Sequence, residues 1–125
     1  VESLALNLQW LRGAVEKFSK RSFTHIVFYG GGAQSGESAQ IMANVFGIPI
    51  HQVEDPDYMV VRGGAYLAFC GLGMMTFDEI ESRLKVRRVF EPEPDKRELY
   101  VELYGRFLEA FRRTRPLFKR MNRFK

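Results

Sequence analysis

Three consecutive glycines, at positions 30 to 32, constrain the fold more than any other stretch of this chain. The apolar run before them, residues 26–29, has the length and composition of a buried strand. After them, apolar residues recur at helical spacing until Gly47 and Pro49 end the pattern. A strand, a glycine turn and a helix bring main-chain N–H groups to a point where an anion such as a phosphate can bind. The stretch is therefore predicted to be either part of a nucleotide site or a plain strand-to-helix turn.

The glycine turn matches neither of two common nucleotide motifs. The dinucleotide pattern Gly-x-Gly-x-x-Gly fails, because Ser35 stands where its last glycine belongs. The phosphate-loop pattern has its two glycines at Gly31 and Gly36, but Glu37 stands where that loop has its lysine. A carboxylate at that position would repel a triphosphate. These residues alone leave a nucleotide contact and a simple tight turn equally open.

A longer pattern does resemble a known family. Gly-Gly-Gly-Ala-Gln-Ser at residues 30–35, with Gln-Ile-Met-Ala-Asn-Val-Phe-Gly-Ile-Pro at residues 40–49, is similar to the adenosine motif of the FGGY carbohydrate kinases. That motif usually reads Gly-Gly-Gly-Ala-x-Ser and then Gln-Ile-x-Ala-Asp-Val-x-Gly-x-Pro. Further segments resemble the same family in the same order, namely residues 4–11, 62–68 and 90–94. Residues 53–56 and 120–122 most resemble the xylulokinase-like pentulose kinases.

The resemblance implies a fold, a reaction and a site. The fold would be α/β, part of the ribonuclease-H-like domain shared by actin, sugar kinases and heat-shock ATPases, as the alternation of helices and short strands also suggests. The reaction would be phosphoryl transfer from ATP, with Mg²⁺, to a sugar hydroxyl, such as that of a pentulose like xylulose. No residue of the chain would be catalytic or bind a metal. The nucleotide would be bound by five residues: Gly30, Gly31, Gly32, Ala33 and Ser35.

The whole chain, residues 1–125, is expected to be the C-terminal portion of the second domain of such a kinase, without the N-terminal domain. It has no initiator Met and opens inside an amphipathic helix, which favours a piece of a longer protein. The resemblance implies that the phosphate loop, the general-base aspartate and most sugar contacts lie upstream. The isolated chain is therefore expected to bind nucleotide weakly and to phosphorylate no sugar. The alternative is a free-standing nucleotide-binding or regulatory module without catalysis.

Departures from the family pattern bear on adenine binding more than on the fold. Gly36 stands where glycerol kinases carry Asn, which removes a side-chain contact to adenine. Residues 37–39 replace a stretch that is often Leu-Trp in the xylulokinase group. Asn44 replaces the usual Asp.

Composition limits the remaining options. A chain of 125 residues with 46% apolar content is expected to form one domain with a single core. No apolar run is long enough to span a bilayer and no signal-peptide pattern is present, so a cytoplasmic location without a membrane partner is predicted. The lone Cys70 lies in an apolar run and is predicted to be a buried hydrophobe. His25 and His51 lack metal-ligand spacing and are predicted to be structural.

The rest of the chain predicts further elements. These are a helix over residues 2–20, a strand over 48–53, a helix after residue 57, a short helix with a capping box at Thr76 and Glu79, an edge strand over 86–90 and a final helix from residue 95. If the first two strands are parallel neighbours, the glycine turn and residues 54–57 share one sheet edge. Asp55 and Asp57 are predicted to cap that loop rather than act as bases. Two glycines at 63 and 64 predict close packing of their helix on the sheet, or a flat wall beside the adenine.

The C-terminal tail is strongly basic. From residue 112 onward there is no acidic side chain, and seven are basic: Arg112, Arg113, Arg115, Lys119, Arg120, Arg123 and Lys125. We expect a solvated helix end whose charges complement the helix dipole. A nucleic-acid arm, with Phe118 and Phe124 stacked on bases, is the less favoured alternative. Self-association is also expected, because a domain without its neighbouring strands exposes an apolar face.

Overall fold

The computed structural model describes residues 1–123, so Phe124 and Lys125 of the basic tail lie outside the described residues. Within this range, helices and strands alternate in the predicted order, with bounds close to those expected. The elements are α1 (Glu2–Ser19), β1 (Ile26–Phe28), α2 (Gly36–Phe46), β2 (Ile50–Val53), α3 (Met59–Gly71), α4 (Phe77–Ser82), β3 (Val86–Phe90) and α5 (Arg97–Met121). Short 3₁₀ helices at Gly31–Gln34, Pro56–Tyr58 and Pro94–Lys96 precede α2, α3 and α5.

The three strands form one mixed sheet in the order β1-β2-β3. β1 pairs with β2 in parallel, with Ile26 opposite Ile50, and β3 pairs with β2 in the antiparallel direction, with Phe90 opposite Ile50. The parallel neighbours place the turns after β1 and β2 at the same sheet edge, as the sequence predicted. The prediction that β1 is buried is wrong, because β1 has a neighbour on one side only and its residues are half-buried. Tyr29 follows the strand and is 54% exposed.

The core lies between the sheet and helices α1, α2 and α5. Apolar residues of α2 at positions 39, 42, 43 and 46 recur at i, i+3, i+4 and i+7, which brings them to one buried side of the helix. Ile50 and Val53 in the central strand are the largest fully buried side chains. The remaining buried members of the core are Ala5 and Leu6 from α1, Val45 from α2, Phe90 from β3 and Tyr100 from α5.

The ends of α2 and α4 follow the signals in the sequence. The Ser35 hydroxyl accepts a hydrogen bond from the Ser38 N–H at 3.1 Å and caps α2, which ends at Gly47 with φ +65°. Thr76 and Glu79 form the predicted capping box of α4. In residues 1–123, no helix has both the length and the apolar content to cross a membrane.

Helix α3 is packed much less than its sequence predicts. None of its residues is buried, and Cys70 is half-buried rather than enclosed. A Cβ on Gly63 or Gly64 would have no atom of the described chain within 4 Å. The predicted close packing of these glycines on the sheet is therefore wrong within this chain, since the main contact of α3 is with the turn that precedes it.

Candidate functional site

The turns after β1 and β2 contact each other at the shared sheet edge. The Gly30 N–H donates a hydrogen bond to the Pro56 carbonyl oxygen at 3.0 Å. The side-chain amide of Gln34 donates a second hydrogen bond to the Asp57 carboxylate. These two bonds join the glycine turn to the turn after β2, at the sheet edge where α/β folds bind ligands.

The glycine turn is open on its outer side. Gly30 has φ +85° and ψ −179°, a backbone conformation that residues other than glycine rarely adopt. A Cβ on Gly30 or Gly31 would meet no described atom within 4 Å, and both Gly31 and Gly32 are exposed. Among residues 1–123, no protein acceptor takes a hydrogen bond from the N–H groups of Gly31 and Gly32. The glycine turn thus offers main-chain N–H donors that a ligand can reach.

The inner side of the same turn is supported by the sheet. Ala33 is fully buried, and its carbonyl oxygen accepts a hydrogen bond from the side-chain amide of Gln52 in β2. Gln52 itself is only 4% exposed. The Phe28 ring lies 3.5 Å from the position that a Cβ on Gly32 would take. Gln52 is not among the site residues that the sequence predicts, although a polar residue between Ile50 and Val53 in the predicted strand was a signal for it.

The N-terminus of α2 is partly neutralised by the chain itself. The Ser35 hydroxyl donates to the Glu37 carboxylate at 2.9 Å while it accepts from Ser38. The backbone N–H of Glu37 and the Ser35 hydroxyl hold the pKa of Glu37 below its usual range. An ionised carboxylate therefore lies at the positive end of the helix dipole. The Gly31 and Gly32 amides, rather than the first turn of α2, are left to meet a ligand's charge.

The two aspartates after β2 have partners other than the loop backbone. Asp55 has φ +47°, and its carboxylate lies 3.2 Å from the Arg62 guanidinium of α3. Asp57 accepts the bond from Gln34 described above. The predicted capping role is wrong for both residues, because their side chains link the turn to α3 and to the glycine turn. Both carboxylates are already paired and exposed, which does not favour a proton-transfer role.

Asn44 fastens α2 to the segment before α5. This residue is 5% exposed, and its side-chain N–H donates to the Glu93 carboxylate at 2.7 Å. The side-chain oxygen of Asn44 accepts a hydrogen bond from the backbone N–H of Glu93 at 2.8 Å and another from the side-chain amide of Gln40 at 3.2 Å. An aspartate at this position would oppose the Glu93 carboxylate. The departure from the family pattern at Asn44 thus fits the local packing.

The two histidines lie side by side at the start of the sheet. His25 immediately precedes β1, and its ring stacks on that of His51 with centroids 4.3 Å apart. In the described part of the chain, no group of three or more His, Cys, Asp or Glu residues could hold a metal ion.

The chain is similar in sequence to several carbohydrate kinases and in structure to two xylulose kinases. The chain is 32% identical over 94 residues to the xylulose kinase of Staphylococcus epidermidis, with 74% of this chain and 19% of that protein covered. It is 33% identical to the autoinducer-2 kinase of Enterobacter sp. over 69% of this chain and 16% of that protein. The glycerol kinase of Trichodesmium erythraeum is also 33% identical, over 74% of this chain and 18% of that protein. The chain thus spans less than a fifth of the length of these relatives.

The crystal structure of xylulose kinase from Rhodospirillum rubrum superposes on 94% of this chain and 24% of its own, with a TM-score of 0.73 and 24% identity. Ligand-bound xylulose kinase from Lactobacillus acidophilus gives a TM-score of 0.70 at 23% identity, over 88% of this chain and 22% of its own. These sugar kinases have the actin-like ATPase fold, so the predicted fold is confirmed. The sequence model of the FGGY family of carbohydrate kinases, C-terminal domain, matches residues 1–72, more than half of the chain. This chain therefore belongs to the FGGY family of carbohydrate kinases.

Proposed function

We propose that this chain forms the adenosine-binding side of the ATP site in an ATP-dependent carbohydrate kinase. The proposal rests on one observation above all, the open glycine turn at the shared edge of two parallel strands. Its exposed amides and lack of side chains allow a nucleoside and its inner phosphate to approach the main chain closely. The residues that form the nucleotide site in this proposal are Gly30, Gly31, Gly32, Ala33 and Ser35.

Each of these residues has a different task in the proposal. The Gly31 and Gly32 N–H groups donate hydrogen bonds to ribose or phosphate oxygens, and Gly30 supplies the backbone angle that the bend requires. Ala33 is held from below by Gln52, which fixes the position of the turn. Ser35 begins α2 and keeps Glu37 bonded to the helix end, away from the turn.

Mg²⁺–ATP would bring the transferable phosphoryl group and the metal charge that offsets charge developing during transfer. The metal would be bound through the nucleotide phosphates and residues outside this chain. The proton-transfer group and most sugar contacts are likewise assigned outside residues 1–125. The isolated chain is accordingly proposed to phosphorylate no sugar, and measurable kinase activity from it would contradict this assignment.

A pentulose such as xylulose is proposed as the acceptor, because two of the structural neighbours and the Staphylococcus relative are named as xylulose kinases. Relatives named as autoinducer-2 and glycerol kinases are equally similar in sequence. The choice of sugar therefore needs a test separate from that of the nucleotide site. An assay of the full gene product with xylulose and glycerol at matched concentrations tests it. A preference for glycerol would contradict the proposal that a pentulose is the acceptor.

Calorimetric titration with ADP tests the nucleotide site. We expect weak, saturable binding with a dissociation constant of about 1 mM or tighter, since part of the site lies outside the chain. Gly31→Val should weaken binding about tenfold or more, because the new side chain fills open space where the nucleoside would lie, without a strained φ. Gly105→Val is the matched control, since a Cβ there also meets no atom within 4 Å but lies in α5. Equal ADP affinity in the two variants would contradict the proposed site.

A further inference from the structure

The distal half of α5, residues 112–121, and the two residues that follow it form an exposed and strongly basic segment. Six side chains of this segment are basic: Arg112, Arg113, Arg115, Lys119, Arg120 and Arg123. In the described chain only Arg113 among them forms an ion pair, with Glu109 of the preceding turn. Within residues 1–123, the segment therefore presents a concentrated positive charge of which only Arg113 is paired.

The same segment carries an apolar side that the protein leaves uncovered. Leu117, Phe118 and Met121 are 48%, 57% and 59% exposed. At about 100° of rotation per residue, these three side chains lie within an arc of about 100°, and the five basic residues within the helix lie on the remaining side. The apolar arc continues the stripe that packs Leu103 and Phe107 of the proximal half against the core.

The distal half is helical to Met121, with Pro116 inside it, and it follows directly from the half of α5 that packs on the core. Phe111 makes an edge-to-face contact with Trp10 of α1, with ring centroids 4.6 Å apart, and Tyr100 is buried in the core. A preformed helix loses little conformational freedom on binding, so its exposed faces are ready for contact.

We infer that the distal half of α5 binds the surface of an anionic lipid bilayer, with Leu117, Phe118 and Met121 inserted at the interface. A basic polar side and an apolar side on one helix are what such a surface requires, because lipid phosphates attract the cations while the acyl boundary covers the apolar side chains. A nucleic acid would use the basic side and could stack a base on Phe118, but it would leave Leu117 and Met121 in water. Peripheral binding needs no membrane-spanning helix, so this inference replaces the sequence-based expectation of no membrane partner.

Co-sedimentation of the whole chain with lipid vesicles tests the inference. We expect binding to vesicles of phosphatidylcholine with about 30% phosphatidylglycerol and little binding to pure phosphatidylcholine. The triple variant Leu117→Ser, Phe118→Ser and Met121→Ser keeps every charge and should bind about tenfold more weakly. Its helix content, measured by circular dichroism, should match that of the unmodified chain because the replaced side chains lie outside the core.

A matched control removes equally exposed apolar side chains elsewhere. Val60→Ser and Val61→Ser in α3, with Leu72→Ser directly after it, replace residues that are 74%, 71% and 72% exposed and should leave vesicle binding unchanged. Loss of binding in this variant instead would show that general apolar exposure, rather than the α5 face, drives association. The inference is also overturned if the α5 triple variant binds as tightly as the unmodified chain. Tighter binding of a single-stranded oligonucleotide at equal phosphate concentration would assign the basic side to nucleic acid.

Discussion

Helices α2 and α3 are both apolar, but the protein treats them in opposite ways. α2 has six buried residues of eleven and contacts α1, α5 and the sheet, whereas none of the thirteen residues of α3 is buried. Each helix follows a strand of the same parallel pair, through a turn at the same sheet edge. The difference in burial therefore comes from which elements of the chain pack against each helix and not from the apolar content of either helix.

This contrast bears on the proposed site. The glycine turn is anchored to the well-packed side of the molecule, through α2 behind it and Gln52 beneath it. Its links to the α3 side are the Gly30–Pro56 and Gln34–Asp57 hydrogen bonds. The site should therefore withstand changes in α3 and respond to changes under α2.

The largest expected effect compares one phenylalanine from each helix. Phe46→Ala in α2 should lower the free energy of unfolding by about 3–5 kcal/mol, because it leaves a cavity in the core. Phe69→Ala in α3 should cost about 1 kcal/mol or less, since that side chain is 42% exposed. Urea denaturation of both variants measures the difference. Similar losses would show that α3 is packed in solution in a way this structure lacks.

A second expected effect concerns the link between α2 and the segment before α5. Asn44→Asp, which restores the usual family residue, should cost about 2 kcal/mol at pH 7, because a buried carboxylate then faces that of Glu93. The like charge would raise the pKa of the introduced carboxyl above its unfolded value. The deficit should therefore be full at neutral pH and shrink as the pH falls towards about 4.

Thermal unfolding at several pH values checks this prediction, with the unmodified chain measured at each pH as the reference. A deficit that stays constant with pH would mean that the two carboxylates do not face each other.

Gln52→Met tests whether the sheet positions the glycine turn. The variant keeps the volume but removes the donor to the Ala33 carbonyl, and it should cost about 1–2 kcal/mol of stability. ADP affinity should fall as well, since the turn loses its support. Gln40→Met, which removes hydrogen bonds from half-buried Gln40 to Asn44 and Glu91, is the control for general destabilisation. If Gln40→Met lowers ADP affinity as much, the effect is not specific to the turn.

The smallest expected effect comes from replacing one glycine in α3 and one at the end of α2. Gly63→Ala in α3 should stabilise the chain by about 0.5–1 kcal/mol, because a Cβ there has no neighbour and alanine favours a helix. Gly47→Ala at the end of α2 should destabilise by about 1 kcal/mol, since φ is +65° and the Arg97 guanidinium occupies the space of a Cβ. Thermal unfolding of the two variants should give shifts of opposite sign. A destabilised Gly63→Ala would indicate a close contact at α3.

The sequence predicted local structure better than burial. The strand, glycine turn and helix of residues 26–46, the Ser35 start of α2 and the Thr76–Glu79 capping box depend on nearby residues, which the sequence shows directly. The exposure of β1 and α3 could not be predicted, because it depends on which elements pack against them. The same holds for the Gln52–Ala33 bond, which joins β2 to the glycine turn over nineteen positions of the chain. Glycine spacing alone left the role of the turn open, and its assignment as a nucleotide site is a prediction from the family resemblance.

Amide chemical shifts measured during an ADP titration of the isotope-labelled chain test the central claim most directly. If the side-chain-free turn binds the nucleoside through its main chain, the Gly31 and Gly32 amide signals should move saturably with ADP. The Gly63, Gly64 and Gly105 signals should stay in place, because they lie in α3 and α5. Saturable ADP binding that moves other signals and leaves those of Gly31 and Gly32 unchanged would contradict the proposed site.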